Sequence, residues 1–378
     1  MGRALDKITI KGFKSIESLE DFELGKLNVM IGGNGAGKSN FVDIFRMLRA
    51  MVDENFANFI NTRGGANDFL FNGPKQTKTI EAEFRFGDNS YAFILEPTAS
   101  DTFSIKKEME RFLDYSWKII GSGGIESKIT ANKEEISRRF PNTYGVGHHI
   151  YKSISNWVVY HFHDTSSTAP MRHSEITADN ERLRSDASNI APFLLGMQQD
   201  ESKSHRKKDR LKYYNKIVEA VKLVTPFFDD FILKPTKKAE KEKVNLSWKQ
   251  KGSDYPMQPY HFSDGTIRFI CLATALLQPE PPSTIVIDEP ELGLHPYAIE
   301  ILAELIQAAS QKTQVILSTQ SPLLIDYFDP DVVIVVNRKK GASTFERLNK
   351  EELSNWLKDY SLGELWRKNV VAGGPVNE

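Results

Sequence analysis

The feature that most constrains this chain is a glycine-rich segment, Gly32–Ser39, with the sequence GGNGAGKS. It fits the phosphate-binding loop pattern G-x-x-x-x-G-K-[ST], and it lies between an apolar run, Leu27–Ile31, and helically spaced apolar residues from Asn40 to Ala50. This order predicts a strand, a glycine turn and a helix whose N-terminus binds phosphate. The predicted nucleotide contacts are Gly33, Asn34, Gly35, Ala36, Gly37, Lys38, Ser39 and Asn40.

Two side chains of this loop have predicted chemical roles. Lys38 is expected to reach the β- and γ-phosphates, where its charge also makes it a candidate catalytic residue. The Ser39 hydroxyl is placed to ligate Mg²⁺. ATP and Mg²⁺ are therefore the expected ligands.

Composition indicates a globular protein of a reducing compartment. The 378 residues are 40% hydrophobic and include a single cysteine, Cys271, so a disulfide framework is excluded and a cytoplasmic location is expected. No apolar run has the length of a signal peptide core or a membrane span, and no membrane association is expected. The net charge of −1 gives no global basic field for nucleic acid.

Two lysine-rich stretches are the local exceptions, Lys203–Lys212 and Lys234–Lys251. Such runs are most often solvated faces, but clustered cations also suit a phosphate backbone or an acidic partner surface. DNA contact through these two stretches therefore stays open beside the plainer interpretation.

The first part of the chain alternates between apolar and polar residues in several short runs. Leu5–Phe13 reads as a strand, and Lys14 and Ser15, just after it, are predicted to reach the nucleotide. The period of two predicts further antiparallel strands over residues 79–86, 90–95, 102–107, 115–120 and 126–129. A polar connection, Arg63–Gly65, is expected to be a loop near the site.

Residues 157–164 read as another strand, which places His161 and His163 on one face. A metal site is one interpretation of this pair, and positioning through hydrogen bonds is the favoured one because no further ligand set is obvious. Helical periodicity then appears over Ile190–Met197 and Leu211–Val224. We predict a core lobe from residues 1–164 and 279–378, and a mostly helical lobe over 165–278.

The second half of the site is predicted from two later segments. Ser263 and Gly265 precede a helical run, Ile267–Leu277, and would form a second anion site at its N-terminus. An apolar strand, Thr284–Ile287, then ends in Asp288 and Glu289. Because neighbouring strand residues point to opposite sides, Asp288 is expected to hold Mg²⁺ and Glu289 to orient and deprotonate the attacking water.

These motifs together resemble an ABC-type ATPase head of the RecF, SMC and OLD kind, most similar to small stand-alone ATPases of bacteria. The resemblance rests on Ile10–Ser15, the Walker A loop Gly32–Ser39, the signature Phe262–Thr266, the Walker B strand Ile285–Glu289, the D-loop-like Glu291–Pro296, and the closing Asp359–Trp366. The fold it implies is an α/β P-loop NTPase with a mixed core sheet built from both chain ends, an antiparallel region and a helical lobe.

The resemblance also implies a head-to-tail homodimer that encloses two ATP molecules. The signature Ser263 and Gly265 of one subunit would complete the Walker A and B motifs of the other, which makes both residues catalytic candidates. A separately encoded effector, such as a nuclease, and a setting in bacterial anti-phage defence or genome maintenance are implied in the same way.

Two departures from the family pattern affect the expected chemistry. Gln320 stands where the family commonly carries a switch histidine, and its amide can donate to the γ-phosphate or hold water without carrying a proton. Slow hydrolysis is therefore expected. The Q-loop glutamine is unassigned, with Gln76 and the His163–Asp164 turn as the two candidates.

Three other functions remain as alternatives. A transporter ATPase subunit shares the core motifs but is usually shorter and carries a Leu-Ser-Gly-Gly-Gln signature. An OLD-like nuclease would need an appended metal-binding domain, for which little chain remains after Gln320. The third is a weakly hydrolysing, ATP-dependent scaffold, which Gln320 itself suggests.

Overall fold

A computed structural model describes residues 2–139, 144–199, 205–238 and 241–371. Its strands are β1 (Lys7–Phe13), β2 (Ile16–Glu23), β3 (Leu27–Ile31), β4 (Ile80–Phe86), β5 (Asn89–Pro97), β6 (Phe103–Phe112), β7 (Lys118–Gly121), β8 (Trp157–Tyr160), β9 (Glu175–Ile176), β10 (Phe228–Ile232), β11 (Thr236–Lys238), β12 (Lys241–Val244), β13 (Ser247–Gln250), β14 (Pro256–Met257), β15 (Thr284–Asp288), β16 (Gln314–Thr319), β17 (Val333–Lys339) and β18 (Ala342–Arg347). Its α-helices are α1 (Lys38–Val52), α2 (Phe56–Asn61), α3 (Ile129–Arg139), α4 (Val146–Ile154), α5 (Ile190–Gln198), α6 (His205–Val224), α7 (Asp264–Leu277), α8 (Pro296–Ser310), α9 (Pro322–Ile325), α10 (Lys350–Leu353) and α11 (Leu362–Arg367).

The chain divides into two compact units. The first contains residues 1–159, 282–288 and 313–378, and the second contains residues 160–281 and 289–312. This division differs from the predicted lobes, because α8 joins the second unit although it lies beyond the predicted range 165–278.

The first unit contains two six-stranded sheets. One is antiparallel throughout its recorded pairs, in the order β2-β1-β4-β5-β6-β7. The other has the order β18-β17-β3-β16-β15-β8, in which β17, β3, β16 and β15 run parallel and β18 is antiparallel. The mixed core sheet is therefore built from both ends of the chain, as predicted, and the antiparallel region is also confirmed.

Helix α1 is packed between these two sheets. Its Phe45 lies 5.1 Å from Trp157 of β8, and Trp157 lies 5.8 Å from Phe86 of the antiparallel sheet, measured between ring centroids. All three belong to one buried hydrophobic cluster that also includes Met30 and Val286 of the mixed sheet. Burying each such side chain contributes about 1.5–3 kcal/mol, so the helix that follows the phosphate-binding loop is firmly anchored.

The second unit combines helices α5–α8 with two three-stranded sheets, β10-β13-β14 and β11-β12-β9. The prediction of a mostly helical lobe omits both sheets. Their strands are only two to five residues long, and such short strands give too weak a period to detect in sequence.

The predicted strand over residues 126–129 is wrong. Glu126 instead accepts hydrogen bonds from the backbone N–H groups of Phe56 and Ala57 at 2.9 and 2.8 Å, and Ser127 Oγ accepts from Ile129 N at 3.1 Å, at the start of α3. Polar side chains that cap backbone groups favour turns over strands, which explains the difference. The strand predicted over residues 157–164 is shorter in the structure, where β8 ends at Tyr160.

Candidate functional site

The predicted phosphate-binding loop has the expected context, since it joins β3 to α1. All five residues of β3 are buried, and Lys38 is the first residue of α1 and only 5% exposed. Its ammonium donates to the carbonyl oxygens of Gly32 and Gly33, at 2.7 and 3.1 Å. Gly37, the N-cap of α1, has no side chain with which to cap the helix, so the first N–H groups of α1 face the loop.

A chain of hydrogen bonds braces this loop from β18. Ser343 Oγ lies 2.6 Å from the carbonyl oxygen of Ala36 and 2.7 Å from Ser15 Oγ, and Asn40 Nδ2 donates to Ser15 Oγ at 2.7 Å. A carbonyl only accepts and a hydroxyl has one proton, so Ser343 donates to Ala36 and Ser15 donates to Ser343. In this series of hydrogen bonds, Asn40 donates to Ser15, Ser15 to Ser343 and Ser343 to Ala36, so each donating group has an acceptor.

The same brace explains why position 37 is glycine. Gly37 has φ +110°, and a Cβ atom there would lie 2.0 Å from Ser343 Oγ. Neither the backbone conformation nor the space permits a larger residue. Ser343 was missed by the sequence analysis because it lies far along the chain in a strand with no recognisable motif.

Lys14, predicted to reach the nucleotide, is held in an ion pair. Its ammonium lies 2.5 Å from Asp43 Oδ2 and 4.7 Å from the centroid of the Phe69 ring. Asp43 also accepts from Arg46 at 2.8 Å and pairs with Arg63 at 3.5 Å. Burial raises the pKa of Asp43, but Lys14 and Arg46 together lower it by more, so that its pKa lies below its usual value.

The second half of the mixed sheet carries the predicted Walker B acid. Asp288 ends β15, is 7% exposed, and stands opposite Ser318 of the parallel strand β16. Ser318 Oγ donates to Asp288 Oδ1, a contact that fixes the carboxylate and that sequence reasoning missed. Because β3, β16 and β15 are parallel, the Walker A loop, Gln320 and Asp288 follow strand ends at one edge of the sheet.

Glu289 follows Asp288 directly and has an unusual backbone conformation. Its φ of 46° lies in the left-handed region, which costs a non-glycine residue about 1 kcal/mol or more. Strain of this kind is typical of functional sites. Asp288 is the last residue of β15, and this conformation turns the chain so that Glu289 does not continue the strand.

The donor atoms predicted for Mg²⁺ suit that ion. Ser39 is exposed in the first turn of α1 and offers a hydroxyl oxygen, and Asp288 offers a carboxylate. Hard oxygen donors, few in number and supplemented by phosphate and water, are the usual Mg²⁺ ligands in nucleotide sites. Ser39 and Asp288 would hold the ion, which would supply positive charge next to the phosphates.

The signature segment forms the N-terminus of α7 in the second unit. Ser263 is the exposed N-cap residue, and its Oγ accepts from Thr266 N at 3.1 Å. A Cβ atom on Gly265 would lie 2.4 Å from the carbonyl oxygen of Gly293 in the D-loop-like segment. The glycine at 265 is thus required by a close approach within the chain, independently of any nucleotide contact.

Two arginines hold the signature segment in place. Arg172 donates to the carbonyl oxygens of Pro259 and Phe262, at 2.7 and 3.1 Å, and pairs with Asp264 at 2.9 Å. Phe262 also stacks on Trp248 at 4.8 Å. These contacts come from residues that are distant in sequence, which is why the sequence analysis did not identify Arg172.

The second arginine, Arg268, lies within α7 and is 7% exposed. It donates to the carbonyl oxygens of Phe162 and His163, each at 2.9 Å, and also to that of Leu292. The signature helix is thereby joined to the D-loop-like segment. Arg268 is the one charged residue in the mostly apolar run 267–277, and this is the sequence signal that could have identified it.

The remaining sequence candidates gain less support. His161 and His163 have ring centroids 4.3 Å apart, but no group of three or more metal-ligating side chains was found among the described residues. Gln76 lies exposed in a turn that starts at Gly73, so the Q-loop residue stays unassigned. Cys271 is buried in α7, and burial raises the pKa of its thiol.

The two lysine-rich stretches belong to the second unit. Lys203–Lys212 lies partly outside the described residues, whereas Lys234–Lys251 forms much of β11, β12 and β13. Among its exposed lysines, Lys237 stands opposite Glu242 in the β11–β12 hairpin. In the ranges that the structure describes, no helix is both long and apolar enough to cross a membrane.

Comparison with known proteins gives one family match. The family described as "AAA domain, putative AbiEii toxin, Type IV TA system" matches residues 27–326. The chain is also similar to a "DNA double-strand break repair Rad50 ATPase" of Saccharolobus solfataricus, with 30% identity over 148 residues. That match covers 35% of this chain and 16% of the relative, so the similar part spans less than a fifth of the relative's length.

Solved structures similar to the fold include heads of SMC proteins. The SmcHead bound to the C-winged helix domain of ScpA matches with a TM-score of 0.58 and 15% identity, covering 92% of this chain and 99% of that one. The Smc head domain bound to the C-terminal domain of ScpA derived from Pyrococcus furiosus matches with a TM-score of 0.51 and 16% identity, covering 94% and 99%. These likenesses confirm the predicted P-loop ATPase fold.

Proposed function

The chain belongs to the AAA domain family that matches residues 27–326 and is an ATPase of the RecF/SMC-like ABC type, and from this we propose that it works as an ATP-driven molecular switch. Two copies dimerise head-to-tail around two ATP molecules, and hydrolysis releases them. The observation that carries this proposal is the geometry of the Walker A loop, in which buried Lys38 and the start of α1 stand at the same sheet edge as Asp288.

The proposed hydrolytic chemistry uses groups that follow β15 and β16, together with Lys38 at the start of α1. Glu289 orients the attacking water and takes its proton, a role that contributes about 10²–10⁴-fold in comparable enzymes. Lys38 stabilises charge on the transferred phosphoryl group. Bound Mg²⁺ would neutralise charge on the phosphates. Gln320 would hold water or donate to the γ-phosphate, and slow turnover follows because its amide cannot carry a proton.

The signature residues complete the site from the other subunit. Ser263 supports this assignment because it is exposed at the N-terminus of α7, where the helix dipole favours a phosphate. Gly265 lets the D-loop-like segment approach closely and so shapes the surface that would meet the partner. An isolated subunit would then bind ATP but hydrolyse it poorly.

The biological setting belongs to the proposal as well. The description of the family includes a toxin of a type IV toxin–antitoxin system, and the similar Rad50 ATPase is named for DNA double-strand break repair. Both suit a role in bacterial anti-phage defence or genome maintenance, in the cytoplasm, with a separately encoded effector protein. DNA contact through Lys234–Lys251 is supported by the exposed lysines of the β11–β12 hairpin.

A second candidate function is an ATP-binding scaffold that barely turns over, and Gln320 favours it. The two candidates differ in hydrolysis rate, since a scaffold needs only ATP-dependent closure. Purified protein that hydrolyses ATP at tens of molecules per second without partners would exclude the scaffold.

The experiment that tests the switch is the mass of Glu289→Gln in solution, with and without ATP–Mg²⁺. Removing the base while keeping the shape of the side chain should trap the closed state, so light scattering should report one subunit without ATP and two with it. Glu304→Gln, at an exposed site on α8, is the matched control and should not accumulate as a dimer. A Glu289→Gln protein that stays monomeric with ATP bound would contradict the trans arrangement.

A further inference from the structure

The C-terminal segment Ser361–Trp366 has no part in the site described above, although it contains the N-cap and most of helix α11. Ser361 and Glu364 form a reciprocal cap, in which Ser361 Oγ accepts from Glu364 N at 3.2 Å and Glu364 Oε2 accepts from Ser361 N at 2.9 Å. Leu362 and Leu365 are buried. Helix α11 packs against α9, whose Leu324 and Ile325 are also buried.

Helix α9 begins just after Gln320, the proposed switch residue. On one side of Gln320, Thr319 is the last residue of β16 and is fully buried in the mixed sheet. On the other side, Ser321 caps α9 through Oγ, which accepts from Leu324 N at 3.2 Å, and its N–H donates to Thr319 Oγ1 at 2.9 Å. The position of Gln320 is therefore fixed jointly by β16 and α9.

Gly363 links α11 to α9 and to Asp326, which follows α9. Its N–H donates to Asp326 Oδ1 at 2.6 Å, and a Cβ atom at this position would lie 2.3 Å from the carbonyl oxygen of Pro322. Glycine weakens a helix relative to alanine, so its presence in α11 needs a reason. The close approach to the first turn of α9 supplies that reason.

We propose that the segment Ser361–Trp366 is a clamp that positions Gln320 for ATP hydrolysis. Gly363 and Asp326 act as positioning residues: they hold α9 against α11, and α9 in turn fixes the chain that leaves Gln320 at the edge of the mixed sheet. This inference rests on the proposed role of Gln320 in the switch. Small displacements of a positioned group can cost about 10²-fold in rate, so the clamp affects turnover. It does not affect ATP affinity, because the Walker A loop is not part of it.

The first test measures ATP affinity and steady-state turnover in Gly363→Ala and Asp326→Ala. Both variants should lower kcat about tenfold while the Kd for ATP stays within about twofold, because the Walker A loop is untouched. Asp326→Asn should retain most of the rate, since its amide oxygen still accepts from Gly363 N. Lys358→Ala, at an exposed site just before α11, is the matched control and should behave like the wild type.

A double-mutant cycle with Gln320→Ala separates positioning from general stability. If the clamp acts through Gln320, Gly363→Ala should cause no further loss of turnover in the Gln320→Ala background. Independent, multiplying losses would overturn the inference, as would an unchanged kcat in both Gly363→Ala and Asp326→Ala. If Gln320→Ala alone left turnover unchanged, the proposed role of Gln320 would fail first, and the clamp with it.

Discussion

The Walker A loop and the signature segment are both glycine-containing turns at helix N-termini, but the lysine of the first and the serine of the second differ in burial. In the Walker A loop, Ala36, Gly37 and Lys38 are buried, and Ser343 of β18 bonds to Ala36 and, through Ser15, to Asn40. In the signature segment, Ser263 is exposed and its hydroxyl bonds to Thr266, although Arg172 holds the neighbouring Phe262 and Asp264. The lysine of the Walker A turn is therefore buried, whereas the serine of the signature turn lies at the surface.

This difference indicates what each turn can do alone. A loop whose backbone is already held in place loses little entropy when phosphate binds, so its affinity should be high within one chain. The exposed N-terminus of α7 offers a ligand few contacts, because Ser263 supplies a single hydroxyl. It should therefore bind a nucleotide best when another site already holds that nucleotide. In the proposed dimer, the asymmetry favours ATP binding by one subunit first, with the signature of the second subunit added later.

The largest expected effect comes from removing the cation of the Walker A loop. Lys38→Ala should weaken ATP binding about a hundredfold, because a buried charge-assisted contact to the phosphates is lost along with the bonds to Gly32 and Gly33. Equilibrium binding of a fluorescent ATP analogue measures this directly. An unchanged Kd would contradict the assignment of the loop, and Lys312→Ala serves as a control lysine of the second unit.

The signature segment should respond in the opposite way. Ser263→Arg should leave the Kd for ATP unchanged but reduce turnover about tenfold to a hundredfold, because a bulky cation blocks the surface that meets the partner. Sizing with light scattering should also show no ATP-dependent dimer in the Glu289→Gln background. Ser100→Arg, in an exposed turn of the antiparallel sheet, is the matched control. Full hydrolysis in Ser263→Arg would show that this serine does not act in trans.

The comparison also shows what could be predicted from sequence. Local patterns sufficed for β3, α1 and the acidic end of β15, because contiguous apolar runs and glycine spacing carry that information. The fold class, which the resemblance of these motifs to an ABC-type ATPase head implied, was also predicted correctly. Tertiary contacts between distant segments carry no such signal, so Ser343, Ser318 and Arg172 were found only in the structure.

Local capping explains where the strand prediction was wrong. Residues 126–129 contain apolar and polar residues at suitable spacing, but Glu126 and Ser127 use their side chains to cap neighbouring segments. Such side-chain to backbone bonds compete with strand pairing and depend on which helix end lies nearby. That information is not present within the segment itself.

A smaller effect is expected from the brace of the Walker A loop. Ser343→Ala removes the donor to Ala36 and the acceptor for Ser15, leaving buried polar groups without their partners. The Kd for ATP should rise about tenfold, while turnover at saturating ATP should change little because no group at the phosphates is lost. Ser354→Ala, outside the brace, is the control. A Kd within twofold of the wild type would show that the loop keeps its shape without Ser343.

The smallest expected effect concerns acid stability beside the loop. The pKa of Asp43 is below its usual value because Lys14 and Arg46 outweigh burial, whereas the unfolded chain has the ordinary value of about 3.9. The stability it contributes is therefore complete above that value and is lost as the pH falls through the folded pKa. Between about pH 4 and 2, the Tm of the wild type should fall more than that of Asp43→Asn, by calorimetry.

At neutral pH the same substitution should lower the Tm by a few degrees, because the ion pair with Lys14 is lost. Glu20→Gln is the matched control, since Glu20 also pairs with a lysine, Lys11, but at an exposed site where such pairs contribute little. Equal slopes of Tm against pH in the wild type and Asp43→Asn would show that Asp43 titrates alike in the folded and unfolded chains. In that case the ion pair between Lys14 and Asp43 would not stabilise the region beside the loop, and only the hydrogen bonds of Ser343 and Ser15 would support the loop.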